Sequence, residues 1–370
     1  MIKLESNTSP LKIAIIGSRG YPFVYSGYET LIKELSERLV GKDCEVTVYC
    51  HRNLFKEKPS LVNGIKLVYI PTIESKSLSQ LIHSFLSMCH AVTSDADVIF
   101  TVNAANGPFG LISKIFRKPT AINVDGLEWL RPKWKGLGAK YFKIAARLST
   151  ILFDLIINDS DEMRNVYLSM FKKDSIVIAY GATVTKSEDT SLIKQWLIKP
   201  REYYLVVGRM IPDNNADIII NGFLASNSTK KIVVVGDVFY KDNYANSLKA
   251  IKDERLIFTG YVYDPEVLAA LYHHCYVYVH GHEFGGTNPT MIKAMAHGCA
   301  ILALNTVFNK EMLDNDSYGI YFDKNQEDVR QQINYAEGCP NKIEKFRKNS
   351  QLGITDKYNW DYITDQYLNV

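Results

Sequence analysis

A strand–helix alternation that runs, breaks once and starts again is the feature that most constrains this chain. Apolar, β-rich runs at 11–17, 45–49, 65–70, 97–102, 120–124 and 155–159 are separated by segments with helical spacing. In one of these, 29–40, Leu31, Ile32, Leu35 and Leu39 fall on one face. From 178 to 200 the rhythm weakens. It resumes with strands at 203–207, 231–236, 256–258, 276–280 and 300–304, and helices at 216–224, 265–273 and 289–297. Strands that alternate with helices specify parallel sheets covered on both faces. The expected fold is therefore α/β: two Rossmann-like, doubly wound parallel-sheet domains. The expected domains are 1–182 and 183–355, with a short amphipathic tail, 356–370, packing back on the first. Ligands of such sheets bind outside the carboxyl ends of the strands, and two sheets in tandem offer those ends to each other across a cleft. The loops after Ile16, Val102, Val124, Val207, Val235 and Val279 thus carry the functional question.

Composition narrows the class. A length of 370 residues suits two domains, and 46 % hydrophobic with 22 % charged residues excludes a largely disordered chain. No apolar run reaches the roughly 18 residues of a spanning helix. The first residues do not have the charged-then-apolar form of a signal peptide. The six cysteines lack CxxC spacing and read as reduced thiols of a cytoplasmic protein. A net charge of +3 is too small to argue for nucleic acid, so any basic function must come from a local cluster.

Four segments carry chemistry. Gly17, Ser18, Arg19 and Gly20 open a loop that ends at Gly27, Tyr28 and Glu29, between a strand and a helix. Glycines there let backbone amides approach a phosphate, and a helix start favours its charge. An ordinary β–α turn explains the same spacing. The segment from Asp125 to Trp134 holds Asp125, Glu128, Trp129, Arg131, Lys133 and Trp134 at a strand end. Its carboxylates suit sugar hydroxyls or the orientation of a nucleophilic hydroxyl, and its indoles suit a sugar face; the alternative is a solvated loop with the indoles in the core. Arg209, closing a strand, is placed to clamp a phosphate, or to form a surface ion pair. In the fourth segment Gly285, Gly286, Thr287 and Asn288 precede Pro289, which fits the first turn of a helix. That arrangement offers amides and a helix dipole to a diphosphate. His280 and His282 have no evident third partner, so no metal is expected. Downstream of Asp125, Lys133, Lys135, Lys140, Lys143 and Arg147 accompany Trp134, Leu137, Tyr141 and Phe142. This stretch suits an anionic membrane surface or a solvated helix face.

Taken together these residues resemble the family 4 glycosyltransferases of the GT-B fold, and among them bacterial rhamnosyltransferases of polysaccharide assembly. The chain reads GSRGYPFVYSGYE from Gly17, DGLEW from Asp125, VGRMIPDNN from Val207 and HGHEFGGTNP from His280. The matches run in order from Lys12 to about Ala300. The resemblance implies a retaining hexosyltransferase that needs no metal or other cofactor, and no DxD sits in a cleft loop. It implies an acceptor domain, 1–182, with Tyr28, Glu29, Asp125, Trp129 and Arg131 at the acceptor, and a donor domain, 183–355. Gly17, Gly27, Arg209, Asn214, Gly285, Gly286, Thr287, Asn288 and Lys293 would hold the donor. Asp125, Glu128 and Arg209 would act in catalysis. The implied donor is a nucleotide-sugar, dTDP-rhamnose first and a UDP- or GDP-sugar otherwise. The implied acceptor is a glycan or lipid-linked sugar. The implied location is cytoplasmic, peripheral on the inner face of an anionic membrane, with no nucleic-acid partner.

Three positions depart from the family pattern. Ser26 stands for a glycine and Asp213 for a glutamate. Lys293 stands where the family carries a glutamate that accepts ribose hydroxyls, so an acceptor has become a cationic donor. Lys293 therefore also raises a second reading, a non-catalytic sugar-nucleotide or membrane-binding relative with a degenerate donor site. It could instead meet a phosphate or pair with Glu283.

Overall fold

Strands such as IAII, IVVV and AILAL have no polar alternation, which suits a parallel sheet buried on both faces. The computed structural model describes residues 9–22, 27–73, 75, 78–124, 126–131, 134, 136–238 and 242–370. Asp125, Ser26, Lys133 and Lys135 lie outside them.

The chain divides into two compact units, residues 1–180 with 360–370, and 181–359. In the first, the order is β1 (Lys12–Ile16), α1 (Gly27–Val40), β2 (Glu45–His51), β3 (Leu61–Val62), β4 (Ile65–Ile70), α2 (Ser79–Ala91), β5 (Val98–Val102), α3 (Gly110–Phe116), β6 (Thr120–Asn123), α4 (Leu137–Leu152), β7 (Leu155–Asn158), α5 (Asp161–Phe171) and β8 (Ile176–Val177). The sheet order is β3-β4-β2-β1-β5-β6-β7-β8, parallel except for the β3–β4 pair. In the second unit come β9 (Tyr203–Val207), α6 (Ala216–Leu224), β10 (Lys231–Val235), α7 (Asn243–Lys249), β11 (Leu256–Gly260), α8 (Pro265–His274), β12 (Val277–His280), α9 (Pro289–Ala296), β13 (Ala300–Leu304), α10 (Val307–Met312), β14 (Gly319–Phe322), α11 (Gln326–Gly338) and α12 (Pro340–Lys357). These six strands run parallel in the order β11-β10-β9-β12-β13-β14.

The last helix, α13 (Trp360–Leu368), belongs to the first unit. Arg38, in the last turn of α1, and Lys42, in the turn after it, pair with Asp361 and Asp365, and Tyr367 accepts a hydrogen bond from Asn123. α10, β14, α11 and α12 extend the second unit beyond the alternation evident in the sequence. α11 packs Val329, Ile333 and Ala336 into the same core as Ile219 and Phe223 of α6.

In each sheet the chain winds outward in one direction, returns, and winds outward in the other. The reversal lies between β1 and β5 in the first unit and between β9 and β12 in the second. Two neighbouring loops diverge at such a point and leave a crevice at the carboxyl ends.

Candidate functional site

In the second unit that crevice is built by the loops after β9 and β12, and asparagines join them. Asn214 donates from Nδ2 to the Arg209 carbonyl at 2.8 Å, and its Oδ1 meets His282 Nδ1 at 2.9 Å. Buried Asn215 donates to the Gly281 carbonyl at 2.8 Å, and the Glu283 amide donates to the Asp213 carbonyl at 3.2 Å. Gly281 permits this approach, since a Cβ there would stand 2.2 Å from the Asn214 carbonyl oxygen. Arg209 is exposed, and its guanidinium has no hydrogen bond or ion pair among the described residues. A cation held by its backbone and free at its head is available to an anion.

The 285–288 segment differs in detail from the sequence expectation. Asn288 caps α9: its Oδ1 accepts from Thr290 N at 3.0 Å, and its carbonyl takes the Met291 and Ile292 amides. Its own amide donates to Met312 Sδ at 3.2 Å. The Asn288 amide is therefore committed inside the protein, which corrects its expected availability to a diphosphate. The Gly285 and Gly286 amides have no partner among the described residues. Thr287 is buried beside them.

Beneath the cap lies a directed chain of hydrogen bonds. Thr290 Oγ1 donates to Asn288 Oδ1 at 2.8 Å, and Tyr278 O–H donates to Thr290 Oγ1 at 3.1 Å. Tyr278 therefore accepts from His280 Nδ1, 3.1 Å away, which places the proton of neutral His280 on Nδ1. Burial pushes the His280 pKa down to about 3. Asn309 Nδ2 donates to the His282 carbonyl at 3.2 Å and to the Leu304 carbonyl at 2.8 Å. Glu283, one partner considered for Lys293, is held by Lys324 at 2.6 Å. Lys293 is exposed on α9.

In the first unit the β1–β5 crevice is tightly packed. Gly17, at φ +98°, lies so close to β5 that a Cβ would stand 2.4 Å from the Val102 carbonyl oxygen. Gln80 Nε2 donates to the Gly17 carbonyl at 2.9 Å, and its Oε1 meets His51 Nε2 at 3.2 Å. His51 stacks on His83 with ring centroids 3.8 Å apart. Burial lowers His51 to about 4 and, with the neighbouring His51, lowers His83 to about 3. Glu29 is buried at the start of α1 and accepts the Arg19 amide at 3.1 Å. Gly27 and Tyr28 open the same helix, half-buried.

The segment after β6 is knitted to itself. Glu128 Oε1 lies 3.1 Å from Arg131 Nε, and Glu128 Oε2 accepts from Trp134 Nε1 at 2.7 Å. Trp129 packs edge-on against Tyr167 and Phe171 of α5. The structure thus brings Glu128, Arg131 and Trp134 together, and it sets Trp129 in an aromatic cluster. Sequence reasoning missed Tyr278, Thr290, Asn309 and Met312. A threonine directly after Pro289 was a signal for Thr290; Met312 lies on a helix far along the chain and gave none.

The comparisons with known proteins follow the two units. Residues 11–183 match a domain of unknown function, DUF1972, and residues 188–352 match glycosyl transferases group 1. Sucrose-phosphate synthase from Thermosynechococcus elongatus has a TM-score of 0.80 at 14 % identity, over 97 % of this chain and 98 % of that one. HepE from Anabaena, in complex with UDP, has a TM-score of 0.76 at 16 % identity over 98 % of each chain. HepE in complex with UDP-glucose scores 0.75 at 15 % identity, over 97 % of this chain and 98 % of that one. No curated protein matches the sequence. At these identities the structural likeness gives the fold alone. The chain has the GT-B fold, and its second unit is the part that matches glycosyl transferases group 1.

Proposed function

We propose that this GT-B chain is a retaining, metal-independent hexosyltransferase. It moves a sugar, rhamnose in the first instance, from a nucleotide donor to a lipid-linked or oligosaccharide acceptor in cell-surface polysaccharide synthesis. The observation that carries the reading is the crevice between β9 and β12, where a free Arg209 and the Gly285 and Gly286 amides belong to loops joined through Asn214 and Asn215. Positive charge and amides there would stabilise the leaving diphosphate as its charge develops. HepE is described with UDP and with UDP-glucose, which supports a nucleotide-sugar as the ligand class here. Asn214, Thr287 and Lys293 complete the proposed donor surface. Asp125, Glu128, Tyr28, Glu29, Trp129 and Arg131 are proposed to serve the acceptor, Asp125 as an orienting group. The leaving phosphate takes the acceptor proton. The location proposed is the cytoplasmic side, peripheral on the inner face of the membrane.

A panel of dTDP-, UDP- and GDP-sugars tests this reading. A donor that binds only the folded form raises the melting temperature, by an amount that grows with the logarithm of its concentration over its Kd. Transfer to a lipid-pyrophosphate-sugar mimic should follow from the same donor. Absence of a shift, of transfer and of hydrolysis across the whole panel would refute it.

Lys293, a cation exposed on α9, favours a second reading: a non-catalytic relative that binds a sugar-nucleotide or a membrane on behalf of another enzyme. Lys293→Glu separates the two. Gain of donor binding in an otherwise inactive protein supports the second reading; loss of existing turnover supports the first.

A further inference from the structure

The sequence read Lys133 to Arg147 as a basic stretch with interleaved aromatics, and the structure divides those residues differently. Tyr141 and Phe142 are half-buried: the Tyr141 hydroxyl donates to the Ala105 carbonyl at 2.8 Å, and Phe142 packs on Trp134 with centroids 4.8 Å apart. The aromatic groups are therefore spent on internal packing. What α4 presents to solvent is aliphatic and cationic. Leu137, Lys140, Ile144, Arg147 and Ile151 recur at spacings of three, four, three and four, so they share one face, and all are exposed. Ile144 is 49 % exposed, Ile151 51 % and Leu137 85 %, an expensive way to leave three large aliphatic side chains.

α3 continues the pattern. Leu111 and Ile115, one turn apart, are 54 % and 69 % exposed, and Phe116 is 53 % exposed. Lys114 donates to the Ile151 carbonyl at 2.7 Å, which ties α3 to the end of α4. Neither helix contains an aspartate or glutamate. Arg117, Lys140, Lys143 and Arg147 have no hydrogen bond or ion pair through their side chains among the described residues. Arg117 also lines a cleft with Lys114, Lys118, Leu152 and Asp154. Asp154, the acid there, accepts from Thr120 N and Oγ1 at 2.9 and 3.0 Å.

We propose that the joined α3–α4 face of the first unit is a membrane-docking surface, whose exposed aliphatic side chains enter the boundary of an anionic bilayer while its unpaired cations meet the lipid phosphates. Charge selects the occupant. Two helices with no acid and four uncommitted cations repel a second copy of themselves and attract anionic headgroups. Their exposed aliphatic groups also have somewhere to go at a bilayer boundary. This deepens the peripheral location proposed above and is independent of whether sugar is transferred.

The test is co-sedimentation of the full chain with vesicles of phosphatidylcholine, with and without about 30 % phosphatidylglycerol, at about 0.1 M and about 0.5 M salt. The expected result is binding that requires phosphatidylglycerol, weakens with salt and keeps a salt-resistant remainder. Lys140→Gln and Arg147→Gln should each lower affinity about fivefold. The paired variant Ile115→Glu/Ile144→Glu should remove the remainder, with an unchanged circular dichroism spectrum because both positions are exposed. Equal binding to neutral vesicles, no binding, or variants indistinguishable from the natural protein would each overturn the proposal. So would a dimer in light scattering that Ile115→Glu dissociates while vesicles are ignored. Donor-induced thermal shifts in the same preparations report on the transferase reading separately.

Discussion

Acid should destabilise this protein well above the range in which carboxylates titrate, because it buries neutral histidines. His51, His83, His274 and His280 are each at most 6 % exposed. Burial lowers their pKa values to about 4, 3, 4 and 3 from an ordinary 6.5. A folded-state pKa below the unfolded one means that the unfolded chain binds more protons between the two values. Stability is then complete above about pH 7.5 and is lost as pH falls through 6.5 toward 4. Over that window each fully shifted histidine costs up to about 1.4 kcal/mol per pH unit, so going from pH 7.5 to 5.5 costs about 1.4 kcal/mol per group and about 5 kcal/mol for four. That is a large share of a typical folding free energy. Urea unfolding at pH 7.5, 6.5 and 5.5 measures the loss, and imidazole NMR titrations follow the individual rings. His297, also lowered to about 4 by burial, adds a fifth such group, so His83→Leu, which keeps the site apolar and removes one proton-binding group, should flatten the pH dependence by about one fifth. A midpoint that does not move between pH 7.5 and 5.5, or a His83→Leu variant with the natural slope, would refute the reasoning.

Other perturbations follow from the same contacts. Arg209→Ala should weaken nucleotide-sugar binding by about 10- to 100-fold, the worth of a charge-assisted hydrogen bond, and leave the melting temperature of the free protein unchanged. Calorimetric titration with whichever donor the panel identifies reads this directly. Asn215→Ala removes the bond to the Gly281 carbonyl and puts alanine at φ +51°, so it should cost about 2 to 4 kcal/mol in urea unfolding. An unchanged midpoint would mean that the two loops do not depend on it. Tyr278→Phe interrupts the chain from His280 to Asn288. It should cost about 1 to 3 kcal/mol and release the His280 proton from Nδ1, which nitrogen chemical shifts detect.

The alternation was legible because parallel strands buried on both faces must be apolar along their whole length, so IAII and AILAL could not be mistaken for amphipathic elements. Helices of mixed polarity were harder to see. α12 buries Ile343, Phe346, Arg347 and Ile354 along one side of a largely polar segment, and Arg347 spends its guanidinium on the His273 and Cys275 carbonyls. A cation in that role breaks the hydrophobic period from which a helix is read. At the site, the fact that Gly285 and Gly286 precede a proline-started helix was visible in the letters. Which amides remain open was not, because that depends on Met312, a residue from another helix.

The glycines show why motif and site overlap only in part. Gly17 and Gly281 sit in segments that invite a phosphate reading, since a bare backbone admits a ligand. In the structure each is also required by another backbone, at 2.4 Å from the Val102 oxygen and 2.2 Å from the Asn214 oxygen for a hypothetical Cβ. Loops that converge on a reversal of strand order must pass close to one another before they can pass close to a ligand. A glycine in such a loop therefore serves packing first. The discriminating signal is a donor left over after packing is satisfied. By that measure the second unit retains Arg209 and the Gly285 and Gly286 amides. In the first unit, Glu29 and Glu128 already accept the Arg19 amide and the Trp134 indole, so an acceptor hydroxyl there would have to share a carboxylate rather than find one free.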